Sequence, residues 1–150
     1  MAGAIAAATR EFAPTLGGSP VVLLAVDCHP WHGAVELSIL TAGEVAANPE
    51  LADPAEMAAW RHYNCSAGLA SWQPAGALGH QMRAAYEAAV HPAEVAEGFM
   101  RACARAAASP DVVAASELLQ RAAEFRTSVS HPDDGREFFP LGKYASPSVG

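Results

Sequence analysis

A chain of 150 residues, 51% apolar and 17% charged, is long enough to close one hydrophobic core and too apolar to stay unfolded. Its formal charge of −7, with a single lysine at Lys143, argues against a nucleic-acid surface, which needs clustered Lys and Arg to release counterions. No apolar run approaches the ~20 residues of a membrane-crossing helix.

The alanine-rich start, MAGAIAAATREF, lacks a basic segment of the secretory kind. Three cysteines, Cys28, Cys65 and Cys103, make no even disulfide set. Together these features predict a soluble cytoplasmic protein with reduced thiols. Very low lysine and high alanine match the composition of GC-rich bacterial genomes.

Residues 2–13 have helical propensity, with Ile5 and Phe12 on one face and Pro14 ending the pattern. Val21 to Val26 is a continuous apolar run rich in β-branched residues, as expected for a strand covered on both faces. Val35, Leu37 and Ile39 then alternate with Glu36 and Ser38, the period-2 mark of a strand with one buried face. The two strands predict an antiparallel hairpin spanning Val21 to Thr41, with a projecting turn, Cys28-His29-Pro30-Trp31-His32-Gly33.

Thr41 and Glu44 form a capping-box pattern that opens a short helix, interrupted at Asn48-Pro49. Asp53-Pro54 opens another. The segment Trp60 to Cys65 reads equally as a helix end or a short edge strand, and Trp72 reads as packed down onto the fold. Three helical stripes follow: Leu78, Met82, Ala85, Tyr86, Ala89; then Val95, Phe99, Ala102, Cys103, Ala106; then Val112, Val113, Ser116, Leu119, Ala123. Phe125–Ser130 reads as a late strand, Asp133-Asp134-Gly135 as a turn, and Glu137-Phe138-Phe139 as a segment that pairs back. The whole predicts one α+β domain over residues 1–150, a small, mainly antiparallel sheet with helices packed on one face, and residues 140–150 as an extended tail.

Two segments carry chemistry-bearing side chains. Cys28, His29 and His32 in the hairpin turn, with His62 and Cys65 some thirty residues later, offer thiolate and imidazole donors of the kind zinc takes in tetrahedral sites. Three such ligands and a water would make a hydrolytic or lyase-type centre. Cys28 or Cys65 could instead act as a nucleophile with His32 or His62 as base. Asp27 and Cys28 point to opposite faces of a regular strand, so Asp27 is not the third member of such a set. Against both readings, Cys28 ends a buried strand, Cys65 fills a small apolar space, and Cys103 lies on a helix stripe. Glu36, Glu44, Glu94, Glu97 and Asp111 read as solvated faces or first-turn dipole partners. His29, His91 and His131 each precede proline, which is backbone punctuation. No Gly-x-Ser-x-Gly, His-Glu-x-x-His or Walker loop is present.

The aromatic residues suggest a third possibility. Trp31 in the turn, with Trp60, Tyr63 and Trp72 downstream, would give an interaction surface with an aromatic centre.

The order of parts resembles bacterial α+β domains associated with the SMI1/KNR4-type immunity proteins. The resembling pieces are VVLLAVDC and AVELSILT, then TAGEVAANPE, AAWRHYNC and the late FRTSVSHPDD. The CHPWHG turn departs from that pattern. The resemblance implies an intracellular, non-catalytic protein that neutralises a protein partner, and it supplies no catalytic residues. The sequence therefore predicts first a binding or immunity-type protein without cofactor, meeting a protein partner that could be basic, and away from nucleic acid and membrane. The alternative is a small zinc- or thiol-dependent enzyme centred on the Cys28–His32 turn with His62 and Cys65.

Overall fold

A computed structural model describes residues 1–139. The fold is α+β. Helix α1 (Ala2–Phe12) leads into strand β1 (Val21–His29), which turns back into β2 (Ala34–Thr41). Helix α2 (Ala42–Ala47) and two short 3-10 turns, Pro49–Ala52 and Pro54–Ala59, follow. Helices α3 (Gln73–Ala88), α4 (Pro92–Ala107) and α5 (Pro110–Ser116) come next, and β3 (Arg121–Ser128) closes the sheet.

The sheet order is β2-β1-β3. β1 runs antiparallel to β2 from Val21↔Thr41 to His29↔Ala34, and parallel to β3 through Leu23↔Arg126 and Ala25↔Ser128. The sheet is thus mixed rather than mainly antiparallel. The sequence pattern shows strands but not their direction, and the long helical connection returns β3 beside β1 in the parallel sense. That return also explains why Ala123, expected on a helix, lies in β3: α5 ends at Ser116.

Alternation gives each face of the sheet its own cover. Val26 and Cys28 of β1, with Val35 and Leu37 of β2, pack against the buried sides of α1, α3, α4 and α5. Leu23, Ala25 and Leu40 point the other way and meet Met57 and Trp60 from the segment after α2. On α4 the fully covered residues are Ala96, Met100, Cys103, Ala104 and Ala107. This face is turned from the expected stripe, because small alanines let α4 lie close to the sheet.

The hairpin turn does not project. Gly33, at φ +67°, sits so close to α3 that a Cβ on Gly79 would come within 2.0 Å of the Gly33 carbonyl oxygen. Two glycines in contact let turn and helix meet backbone to backbone. The Trp72 indole N–H donates to the Val35 carbonyl at 3.0 Å and ties the start of α3 to the same strand. The capping box forms as expected, with Thr41 Oγ1 accepting from Glu44 N and Glu44 Oε2 accepting from Thr41 N.

Candidate functional site

The face of the sheet opposite the helices is covered along only part of its length. At the hairpin end, Asp27 and His29 of β1 and Glu36 of β2 lie on this face, and Asp27 and Glu36 are direct cross-strand partners. A cleft of about 490 Å³ opens above Asp27 and His29. One wall is the 3-10 segment beginning at Asp53-Pro54; the other is the turn carrying His131, Asp133 and Asp134.

That second turn is held by its own backbone: His131 N donates to Arg136 O at 2.8 Å and Gly135 N to His131 O at 2.9 Å. Glu137 accepts from the Val129 and Phe139 amides and fastens the turn to the end of β3. Trp31 of the hairpin turn packs against the main core with its ring beside this second turn. Its ring centroid is 5.9 Å from that of His131, 6.0 Å from His29 and 6.2 Å from Tyr86.

Inside the cleft, His29 Nε2 donates to Asp27 Oδ2 at 2.7 Å. This hydrogen bond, reinforced by the fields of Asp27, Glu36 and Asp133, raises the His29 pKa above its ordinary value although burial opposes the charge. Glu36 Oε2 is buried and has no hydrogen-bond partner. Burial and the neighbouring Glu36 carboxylate push the Tyr63 hydroxyl up to about 12. Asp27, His29 and Glu36 each offer a ligand atom, all within 4.8 Å of one another. Among the described residues this is the one group of three such side chains.

Comparison of the chain with protein-family models, curated proteins and solved structures gives no match. The site is therefore read from its own geometry.

That geometry gathers a different set from the one spacing suggested. Of Cys28, His29, His32, His62 and Cys65, only His29 belongs to the group. Cys28 faces the helices, where hydrogen bonding to Cys103 and burial push its thiol far up, the opposite of an activated nucleophile. His32 is exposed on the turn. His62 bridges to Ile39 and packs edge-on against Phe12 at 5.5 Å, on the helical side. Cys65 packs into the same side, and burial raises its thiol to about 12. Strand alternation turns Cys28 from the cleft, and the segment that follows the 3-10 turns places His62 and Cys65 on the helical side.

The expected aromatic surface also changes. Trp60 and Trp72 are buried, with their indole N–H groups given to Leu51 O and Val35 O. Trp31 is half-buried, and Tyr63, at 41%, is the most exposed of the four. Asp27, Glu36, His131 and Asp133 were missed as site residues. Their signal was available in the hairpin: Asp27 and Glu36 stand equally far from the centre of the turn, so an antiparallel pairing sets them opposite each other.

Proposed function

We propose that the cleft is a divalent-cation site held by Asp27, His29 and Glu36, and that the protein performs metal-dependent hydrolytic or lyase-type chemistry there. The observation that carries this reading is the cross-strand pair Asp27 and Glu36, two carboxylates directly opposite on one face, with Glu36 Oε2 buried and unpartnered. Like charges so placed destabilise a sheet. A cation between them reverses the sign of that interaction.

Two oxygens and an imidazole nitrogen suit zinc, manganese or iron rather than a soft ion. Metal bonds of about 2.0–2.2 Å place neighbouring ligands roughly 3–3.5 Å apart, so small side-chain rotations suffice. A cation held by three protein ligands keeps an open position, where it lowers the pKa of bound water. His131 and Asp133 on the facing turn are placed to meet what enters the cleft, and Tyr63 can donate a proton near Glu36.

The test is titration of the untagged protein with Zn²⁺ and Mn²⁺. Wild type should bind one equivalent of at least one of them, and Glu36→Gln and Asp27→Asn should each weaken binding more than about tenfold. Equal affinity in all three proteins would overturn the assignment.

A second reading is favoured by the rim. Asp53, Asp133 and Asp134 surround the mouth, which supports capture of a basic protein partner through complementary charge. Such a partner would bind without metal and lose affinity in Asp133→Asn/Asp134→Asn, a pair of changes that leaves metal binding in place.

A further inference from the structure

Because side chains alternate along β1, the residue between Asp27 and His29 faces the helices. That residue is Cys28. It is fully buried, its Sγ lies 3.7 Å from Sδ of Met82 on α3, and both residues belong to one buried cluster with Cys103 of α4. Three different elements thus each bring one sulfur into the same buried cluster. An open cleft of about 470 Å³ between α3 and α4 has Met82 and Cys103 in its wall, beside Leu78, Phe99 and Ala102. This cleft gives Met82 and Cys103, and through them the buried Cys28, a route from solvent, which a metal site requires.

Two thiols and a thioether are soft, polarisable donors that favour Cu(I) over hard cations. With metal–sulfur bonds of about 2.3 Å, three sulfurs around a trigonal ion stand about 4 Å apart. The Cys28–Met82 separation of 3.7 Å is already close to that edge. Apolar packing alone does not require sulfur from three separate elements at one place.

We infer that Cys28, Met82 and Cys103 form an all-sulfur site for Cu(I), entered through the cleft between α3 and α4. On binding, both S–H bonds break and two protons leave to solvent. Two copper–thiolate bonds and one thioether bond form, and copper stays Cu(I), so nothing is oxidised or reduced. The site does not depend on the carboxylate cleft, since it lies on the other face of β1 and uses donors of the opposite character.

The experiment is an anaerobic titration of the untagged protein with Cu(I) against a chromophoric Cu(I) chelator, together with copper-edge X-ray absorption of the loaded wild type. The expected result is one equivalent taken from the chelator and a shell of three sulfurs at about 2.3 Å. Cys103→Ser should lower affinity more than about a hundredfold, Met82→Leu about tenfold, and Cys65→Ser not at all. Should Cys103→Ser fail to fold, Met82→Leu keeps the core volume and the wild-type spectrum still decides. Nitrogen or oxygen in the copper shell, a two-sulfur shell with Met82→Leu binding as wild type, or no competition with the chelator would each overturn the site.

Discussion

Asp27 and Glu36 work against the hairpin that holds them. They are register partners on one face, and one carboxylate oxygen of Glu36 is buried without a hydrogen bond. Glu36→Gln removes the like-charge pair and keeps an acceptor for Tyr63, so the metal-free protein should gain about 0.5–1 kcal/mol, measured by urea unfolding. A loss of stability would show that Glu36 supports the fold instead. His29 has a folded pKa above its unfolded value of about 6.5 because Asp27 binds its proton. The stability from this pair is therefore fully present below about pH 6.5 and is lost as pH rises through the raised value. Imidazole NMR of the metal-free protein should show His29 titrating above its ordinary value and returning toward it in Asp27→Asn. An unchanged titration in that variant would remove Asp27 as the cause.

The sequence shows this site only in fragments. His29 is legible as a donor. Cys28 and Cys65 stand out because sulfur beside imidazole looks like a zinc set, whereas strand alternation turns Cys28 to the other face. Glu36 looks like a solvated residue because alternation marks which positions leave the core, not what lies over them. The cover of that face comes from residues 49–60 and 131–135, whose turns carry no periodic signal.

At the scale of elements, the hairpin and the capping box are readable, since both are written in local patterns. The partner of β1 on its other side is not, because a parallel pairing between residues about a hundred positions apart leaves no local trace. α3 and α4 lie with their buried sides turned from the expected stripes, whereas α1 and α5 bury the expected Ile5, Val112 and Ser116: alanine-rich helices present several nearly equal apolar faces, and close packing on the sheet selects among them.

Leu37 and Ile39 are both almost wholly buried on the helical face. Leu37→Ala or Ile39→Ala should each cost about 2–5 kcal/mol in denaturant unfolding. Losses well below that range for both would contradict the face assignment. The Gly33–Gly79 contact makes a sharper claim. Gly79→Ala places a Cβ where the Gly33 carbonyl stands, so turn and helix must separate at a cost of about 1–3 kcal/mol. The displaced turn should also move Trp31, read out as a shift in tryptophan fluorescence. Wild-type stability and emission in the Gly79→Ala protein would show that the turn is not docked.

Across the whole molecule, β1 divides two chemistries. Its helix-facing side carries sulfur within the main core; its other side carries carboxylates and imidazole under two short turns. The helices give the sheet its rigidity, and the partly covered opposite face leaves room for a polar cleft. No helix among the described residues is long and apolar enough to cross a membrane, and the net charge of −7 favours cations at the surface and in the cleft. The metal-dependent chemistry proposed for the cleft depends on where a cation sits. The most direct measurement is anomalous diffraction from crystals soaked in Zn²⁺ or Mn²⁺. The expected result is a peak bonded to Asp27, His29 and Glu36 at about 2.0–2.2 Å; a peak elsewhere with these three side chains unmoved, or none at saturating metal, would contradict it.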